Sequence, residues 1–279
     1  MGATEHAANA GGVGGDGAGG VVRVRGIELG TGVPEIIVPL TGAEERSVLA
    51  QAERARTAPA RIIEWRADLL APSAPAAEHR ERVLDALPAL REALAPEQAL
   101  LLTVRTAAEG GGRALTDADL SALLRAGIAL RGADDSALVD LVDVETARAP
   151  EAVGAVIDAA HEAGVAAVGS FHDFAATPPR EEILATLRVQ RALGADVGKI
   201  AVTPRTADDV LVLLAASLEA ARDGAGPHLA ISMGSLGAVS RVAAEVFGSC
   251  ATFATAGEAS APGQLGADEV SRMLAALRP

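Results

Sequence analysis

Residues 166–202 read AAVGSFHDFAATPPREEILATLRVQRALGADVGKIAV and contain one complete unit of the pattern that runs through the chain. An aliphatic run, Ala166–Phe171, is followed by a stretch of helical periodicity over 179–192 and then by a second aliphatic run, Val197–Val202. Two prolines and two glutamates open the central stretch and a glycine follows it, which are typical boundary signals of an α-helix. The pattern predicts a strand–helix–strand unit, whose strands are parallel because a helical crossover joins them.

The same unit repeats, so that eight short aliphatic runs alternate with eight helical stretches. The number of repeats and the chain length favour a closed (β/α)8 TIM barrel, of the α/β class, over an open doubly wound sheet. No Gly-x-Gly-x-x-Gly follows a predicted strand, which counts against the open sheet. The predicted strands are Glu35–Leu40, Arg61–Trp65, Ala99–Val104, Leu138–Val144, Ala166–Phe171, Val197–Val202, His228–Ser232 and Ala251–Thr255, and the predicted helices cover 43–57, 77–94, 116–131, 149–162, 179–192, 206–221, 236–247 and 266–278.

The composition narrows the domain organisation and the range of partners. Residues 1–21 are rich in glycine and alanine without apolar periodicity, which predicts a disordered tail before a barrel domain over 22–279. The net charge of −13 argues against nucleic acid and acidic membrane surfaces as partners, and no apolar run is long enough for a transmembrane helix. The single cysteine, Cys250, excludes a disulfide framework and predicts a core residue in a reducing, cytoplasmic compartment.

Lysine usage points to a specific chemistry. Lys199 is the only lysine among 24 basic residues, and it lies in the apolar run Val197–Val202, where a surface charge is not expected. Arginine performs most roles of a surface lysine, but a guanidinium does not lose its proton to attack a carbonyl carbon. A lysine kept at this one position therefore indicates Schiff-base chemistry, with a lysine that reaches solvent from a strand end as the alternative.

Polar residues follow most of the predicted strands, at the end of a barrel where active sites are found. His172 follows Ala166–Phe171, one repeat before Lys199, so an acid/base group and a nucleophile are predicted on adjacent strands about 4.8 Å apart. The fourth predicted strand, Leu138–Val144, carries Asp143 near its end and is followed directly by Glu145. The remaining histidines lie where no catalytic role is expected. His6 is in the tail, His79 and His161 are among surface-type helical residues, and His228 is at the opposite end of the barrel.

Several segments, taken in order, resemble the type I 3-dehydroquinate dehydratase family over roughly residues 34 to 278. They are Glu64-Trp65-Arg66-Ala67-Asp68, Thr103-Val104-Arg105 with Glu109-Gly110-Gly111, Ser170-Phe171-His172-Asp173-Phe174, Lys199-Ile200-Ala201-Val202, Ser232-Met233, Ser240-Arg241, Phe247-Gly248-Ser249 and Ser260-Ala261-Pro262-Gly263-Gln264. The resemblance implies a lysine Schiff base that dehydrates 3-dehydroquinate to 3-dehydroshikimate in the shikimate pathway. It also implies a homodimer, a small-molecule substrate, and no metal or other cofactor, since the imine itself polarises the substrate.

The resemblance also implies roles for individual residues. The lysine that forms the imine falls on Lys199, the general acid/base histidine on His172, and the acid that orients this histidine on Glu109. Binding of the substrate carboxylate and hydroxyl groups falls on Glu64, Arg66, Arg105, Arg241, Ser260 and Gln264. The loop that carries the last two resembles a lid over bound substrate.

Two other functions compete with this interpretation. A Schiff-base aldolase also uses a lysine on a barrel strand, and Gly234-Ser235-Leu236-Gly237 could serve as the phosphate site that such enzymes need. Arg241 and the segment Ser260–Gln264 fit a carboxylate-bearing polyol better. A barrel that serves only as a binding module or scaffold would be expected to have lost its nucleophile or base, and both are present.

Overall fold

The computed structural model describes residues 20–257 and 264–278, so most of the predicted tail lies outside the described residues. The described strands are β1 (Val22–Val24), β2 (Ile27–Leu29), β3 (Glu35–Leu40), β4 (Ile62–Arg66), β5 (Ala99–Thr103), β6 (Leu141–Glu145), β7 (Ala166–Asp173), β8 (Val197–Val202), β9 (His228–Ser232) and β10 (Ala251–Phe253). The described helices are α1 (Glu45–Ala55), α2 (Ala76–Ala93), α3 (Asp117–Ala129), α4 (Pro150–Glu162), α5 (Arg180–Ala192), α6 (Ala207–Arg222), α7 (Val239–Val242) and α8 (Ala267–Leu277). None of these helices is long and apolar enough to cross a membrane.

Eight parallel strands form the barrel, in the order β10-β3-β4-β5-β6-β7-β8-β9, and confirm the predicted (β/α)8 fold. The seam between β9 and β10 is held by individual hydrogen bonds in place of a ladder. The Cys250 amide donates to the His228 carbonyl at 2.7 Å. The Ser249 hydroxyl accepts from the Ala230 amide at 3.1 Å and donates to the Ala251 carbonyl at 3.0 Å. The barrel is therefore nearly closed, with one side chain completing the seam.

The alternation of side chains along β8 explains where the site lies. Val197 and Ala201 point into the barrel interior, whereas Ile200 and Val202 pack outward against α5 and α6. Because both faces of a parallel strand are buried, the sequence of β8 is a nearly continuous apolar run. Lys199 shares the inward face with Val197 and Ala201, so its side chain enters the barrel.

An antiparallel hairpin, β1–β2, covers the amino-terminal end of the barrel and was not predicted. Its turn places Arg25 (φ 45°) and Gly26 (φ 70°) in the left-handed region, as two-residue hairpin turns require. Arg25 Nε donates to Asp140 Oδ1 at 2.6 Å, just before β6, and Ile27 is fully buried. Two three-residue strands are too short to show a period of two, so the sequence pattern did not reveal them.

We expect Ile27→Ala to lower the free energy of unfolding by about 2–5 kcal/mol, because it leaves a cavity where the hairpin closes the barrel core. Arg23→Ala is the matched control, since Arg23 lies on the exposed face of the same hairpin and its ion pair, among the described residues, is with exposed Glu28. Its expected effect is below about 0.5 kcal/mol. Urea denaturation followed by circular dichroism measures both values. Equal effects of the two substitutions would show that the hairpin does not support the core.

The seventh repeat departs from its predicted helix. A helix was expected over 236–247, but only the four residues of α7 are α-helical. The chain turns tightly here, because Gly237 lies so close to the Ser232 carbonyl that a Cβ atom would be only 2.2 Å from its oxygen. The Ser240 hydroxyl donates to the Gly237 carbonyl and accepts from the Ser232 amide, which ties α7 to the end of β9. This tie holds the neighbouring Arg241 at the barrel mouth.

The setting predicted for His79 was wrong, whereas that of Cys250 is confirmed. His79 is fully buried, and its Nε2–H donates to the Ala67 carbonyl at 2.9 Å, so it joins α2 to the segment after β4. Helical periodicity alone placed it on the surface, since its partner is a backbone atom that no sequence pattern marks. Cys250 is a buried free thiol beside the barrel seam.

Candidate active site

Lys199 lies inside the barrel, only 4% exposed, and does not reach solvent. Its Nζ is 3.0 Å from Asp143 Oδ2 on β6 and 3.5 Å from Glu64 Oε1 on β4. The Phe253 ring lies on another side, with its centroid 4.9 Å from Nζ. Burial of a lone ammonium is costly, and two carboxylates offset that cost here.

Asp143 is the common partner of the two cations in the barrel interior. It accepts from Arg105 Nη2 at 2.7 Å and from the Ser170 hydroxyl at 2.6 Å, besides its contact with Lys199. Burial acts to raise the pKa of Asp143, but the charges of Arg105 and Lys199 outweigh it and hold the pKa below its ordinary range. Asp143 is therefore a carboxylate at neutral pH.

Both terminal nitrogens of the Arg105 guanidinium group contact acidic side chains. Its Nη1 lies 3.1 Å from both Glu109 Oε2 and Glu145 Oε1, in addition to the contact of Nη2 with Asp143. Burial acts to lower the pKa of Arg105, but the three carboxylates raise it beyond the ordinary arginine value. Its guanidinium group is a fixed positive charge that holds the side chains of Asp143, Glu145 and Glu109 in place.

His172 and Glu109 form a hydrogen-bonded pair above Lys199. His172 Nδ1 lies 2.8 Å from Glu109 Oε2. Because Oε2 also accepts from Arg105, the hydrogen of this contact belongs to Nδ1, and Nε2 keeps its lone pair. Burial, with the charges of Arg105 and Lys199, lowers the pKa of His172 well below its ordinary value. At neutral pH the imidazole is therefore uncharged and able to accept a proton at Nε2. Burial also raises the pKa of Glu109 to about 8, so this carboxyl group is not fixed in its charged form at neutral pH, and its Oε2 accepts from Nδ1 and from Arg105 in either form.

The pairing of β7 and β8 sets the height of the histidine above the lysine. Lys199 pairs with Ser170, and His172 pairs with Ala201, so the two side chains are not at equivalent positions. They lie on the same face with an offset of two residues, about 7 Å along the strands. The predicted adjacency of the strands holds, but the histidine lies nearer the barrel mouth than the lysine.

Phe174 packs over the His172–Glu109 pair. Its ring is stacked on the imidazole, with centroids 6.4 Å apart and an angle of 16° between planes. The same ring lies against Gly110, where a Cβ atom would be 2.3 Å from Phe174 Cε2. Gly110 also has φ +77°, so glycine serves both the turn and the close approach beside Glu109.

The predicted binding arginines differ in whether another side chain already neutralises them. Arg66 binds Asp68 in a bidentate manner, at 2.8 and 2.9 Å, and Arg105 holds three carboxylates. Arg241 is only 2% exposed, and within residues 20–257 and 264–278 no side chain or carbonyl pairs with its guanidinium group. Burial lowers the pKa of Arg241 to about 10. A buried and unpaired cation at the barrel mouth is suited to bind an anion.

The other predicted residues lie at the same rim as far as they are described. Glu64 accepts from the Thr103 hydroxyl at 3.0 Å and points into the barrel. Gln264 precedes Leu265, whose carbonyl accepts from the Thr255 amide just beyond β10. Ser260 lies outside the described residues. Among the residues that are described, no group of three histidine, cysteine, aspartate or glutamate side chains could hold a metal ion.

The profile of the type I 3-dehydroquinase family matches residues 36–278. A 3-dehydroquinate dehydratase of Salmonella paratyphi B is 42% identical over 257 residues, which are 92% of this chain and 98% of the relative. The chain belongs to the type I 3-dehydroquinase family. This membership agrees with the resemblance noted in the ordered segments from Glu64 to Gln264.

Solved type I 3-dehydroquinases share the fold over nearly the whole chain. The Clostridium difficile enzyme, solved with covalently modified comenic acid, has a TM-score of 0.83 and 35% identity, covering 92% of this chain and 97% of that chain. The 3-dehydroquinate dehydratase of Geobacillus kaustophilus has a TM-score of 0.82 and 37% identity, covering 93% and 97%. A 3-hexulose-6-phosphate synthase, at 17% identity and a TM-score of 0.52, shares the barrel fold alone.

Part of what surrounds Lys199 in this type I 3-dehydroquinase was not predicted from the sequence. Asp143, Glu145 and Ser170 contact Arg105, and Asp68 holds Arg66 while accepting from the Arg105 amide at 3.1 Å. Asp143 and Glu145 were placed at a strand end without a role. The signal was present, because acidic residues alternate with valine in a strand that is otherwise apolar. Alternation in a barrel strand marks side chains that point inward.

Proposed function

We propose that Lys199 forms an imine with the C3 ketone of 3-dehydroquinate and that His172 moves the protons of the dehydration to 3-dehydroshikimate. The observation that carries this proposal is the position of Lys199, the only lysine in the chain, buried inside the barrel below an uncharged histidine. Membership of the type I 3-dehydroquinase family supports the reaction, a hydro-lyase reaction that proceeds through a Schiff base.

The steps follow from the chemistry of an iminium ion. Lys199 adds to C3 as the free amine, and the proton that its ammonium form gives up is taken by the hydroxyl group of the adduct, which leaves as water. The product is the iminium, which acidifies the neighbouring C2–H bond. His172 Nε2 takes this C2 proton, and the electron pair of the C2–H bond forms the double bond as the C1–O bond breaks. The leaving hydroxyl takes the proton from His172 and departs as water. Hydrolysis of the imine then releases 3-dehydroshikimate and restores the amine.

The charges around Nζ suit the cationic intermediate. Asp143 and Glu64 lie within 3.5 Å of the ammonium, and the iminium would carry the same positive charge at the same atom. Because the two carboxylates are already held in place, forming the iminium requires no rearrangement of charge in the protein. Asp143 stays ionised throughout, since Arg105 and Lys199 keep its pKa below the ordinary range.

Glu109 is proposed to orient His172, and the remaining predicted residues to bind the substrate. The contact between Glu109 Oε2 and Nδ1 fixes the tautomer that leaves Nε2 free. Arg241 is proposed to bind the substrate carboxylate, because it alone of the three binding arginines lacks a partner within the described chain. Glu64, Arg66, Arg105, Ser260 and Gln264 are proposed to contact the substrate hydroxyl groups and the rest of the ligand.

Arg241→Lys should raise KM for 3-dehydroquinate about tenfold to a hundredfold while changing kcat much less. An ammonium cannot reproduce the two parallel hydrogen bonds of a guanidinium with a carboxylate, and a hydrogen bond to a charged group contributes about 1.5–3 kcal/mol. Steady-state kinetics measures the change, with Arg272→Lys on the exposed face of α8 as the matched control. An unchanged KM would move the carboxylate site to Arg66 or Arg105.

The reaction itself is tested by the enone absorbance of 3-dehydroshikimate after addition of 3-dehydroquinate to the purified chain. A Schiff-base aldolase would not form this enone, and its substrates carry phosphate groups. Failure to form the enone, with the protein folded, would reject the proposal.

The resemblance implies a homodimer, and the single cysteine Cys250 predicts a cytoplasmic location; both stay predictions. Light scattering during size-exclusion chromatography decides the oligomeric state, since a dimer has twice the mass of the chain.

A further inference from the structure

We propose that Gln190 on α5 is a positioning residue for Lys199, holding the backbone of the lysine from outside the barrel. The inference rests on the proposed function, in which Lys199 is the nucleophile. Gln190 touches neither the interior of the barrel nor the strand ends where substrate would bind. It acts on the reaction only by fixing the residue that carries the amine.

Both polar atoms of the Gln190 side-chain amide form hydrogen bonds with the backbone of one residue, Lys199. Nε2 donates to the Lys199 carbonyl at 3.0 Å, and Oε1 accepts from the Lys199 amide at 3.1 Å. Gln190 is fully buried, on the face of α5 that also carries Leu187 and Leu184. A buried amide among leucines costs free energy unless its donor and acceptor are paired. The position would suit another leucine, so the use of glutamine calls for a reason beyond packing.

Two glycines make room for this contact. Gly198 precedes Lys199 and faces α5, and a Cβ atom there would lie 2.9 Å from Gln190 Oε1 and 2.9 Å from Leu187 Cδ2. Gly169, which pairs with Gly198 on β7, would place a Cβ atom 3.4 Å from Gln190 Cβ and 2.8 Å from Ala195 Cβ. Neither glycine has a positive φ, so backbone conformation does not explain them. The absence of side chains at these two sites lets the glutamine amide reach the strand.

The contact links the outside of the barrel to the chemistry inside it. The backbone of Lys199 is held by Gln190, and its Nζ is held by Asp143 at 3.0 Å, so the side chain is fixed at both ends. Attack on a carbonyl carbon requires the amine at a defined distance and angle, and a displacement of about 1 Å can reduce a rate about 10²-fold. Loss of the two hydrogen bonds from Gln190 would therefore slow imine formation and leave substrate binding by Arg241 on α7 unaffected.

The test compares Gln190→Leu with Ser217→Ala. Ser217 is a buried polar residue of α6 that contacts His228 Nε2 and the Phe247 carbonyl and makes no hydrogen bond to Lys199, so its loss removes hydrogen bonds of the same kind without releasing the backbone of the nucleophile. We expect Gln190→Leu to lower kcat and the single-turnover rate of borohydride-trapped imine about 10- to 100-fold, with KM within about twofold of the wild-type value. Ser217→Ala should keep both rates.

Two more variants keep the outcome decisive if Gln190→Leu does not fold. Gln190→Met has the same length without hydrogen bonds, and Gly198→Ala keeps the glutamine but forces its amide away from the strand. Both should show the same loss of kcat and trapping rate. Wild-type trapping rates in these variants, or an equal loss in Ser217→Ala, would overturn the positioning role. Absence of trapping on Lys199 in the unmodified chain would instead reject the imine mechanism.

Discussion

Lys199→Arg is expected to lower turnover of 3-dehydroquinate by about 10⁴–10⁶-fold, as much as Lys199→Ala, although it keeps the positive charge. Loss of a covalent nucleophile has effects on this order. A guanidinium at this position could still pair with Asp143 and Glu64, which lie within 3.5 Å of Nζ in the wild-type chain. It would not add to the ketone, so retention of charge should not retain activity.

Because the chain has one lysine, a trapping experiment can identify the residue that forms the imine. Because Lys199 is the only lysine, borohydride reduction in the presence of substrate should add one ligand mass, on the peptide that contains Lys199. The amine at the chain's amino terminus is the other primary amine that could react. Mass spectrometry of the digested protein distinguishes the two sites, and Lys199→Arg serves as the control without a label. Label at the amino terminus alone would reject the mechanism.

His172→Ala is expected to separate imine formation from the later steps. Lys199 remains able to form the imine, but proton transfer from C2 and hydrolysis of the imine should stall. The expected result is a covalent adduct that accumulates on Lys199, together with a loss of kcat on the order of 10²–10⁴-fold, the range for general acid–base catalysis. Intact-protein mass spectrometry without borohydride detects the adduct. Near-normal turnover would transfer the base role to Glu109 or to a bound water molecule.

Glu109→Gln and the pH profile refine the assignment of His172. The amide should keep one hydrogen bond to Nδ1 but weaken the basicity of the imidazole, so a smaller loss of kcat is expected. The pKa of His172 is lowered, chiefly by burial, so the imidazole becomes protonated only as the pH falls through that lower pKa. The acidic limb of kcat/KM should therefore lie below 6.5, the ordinary pKa of histidine, and should be absent from His172→Ala. A limb at or above 6.5 would contradict this assignment.

The sequence alone determined the barrel and the place of its chemistry. The repeated alternation of aliphatic and helical runs, as in residues 166–202, is a local property, because each strand or helix must satisfy its own hydrogen bonds and bury its own apolar face. Once the repeats are read as parallel strands, His172 and Lys199 necessarily meet at the same end of neighbouring strands. The hairpin β1–β2 was not predicted because its strands are too short to show a period and its position depends on distant contacts, such as Arg25 with Asp140. The short length of α7 was not predicted because it follows from the close approach of Gly237 to the Ser232 carbonyl, which no periodicity marks.

Only the tertiary structure decided the states of the charged groups. The sequence favours Arg241 over Arg66 and Arg105 as the carboxylate site without showing which of them is already neutralised. The fold pairs Arg66 with Asp68, surrounds Arg105 with acidic side chains and leaves Arg241 unpaired among the described residues. It also brings Asp143 to Lys199, from 56 positions away in the chain. Burial and pairing are set by which side chains converge from separate strands, and both act on a charge with energies that grow as water is excluded. No periodicity along the chain carries that information, because it arises only when the barrel closes.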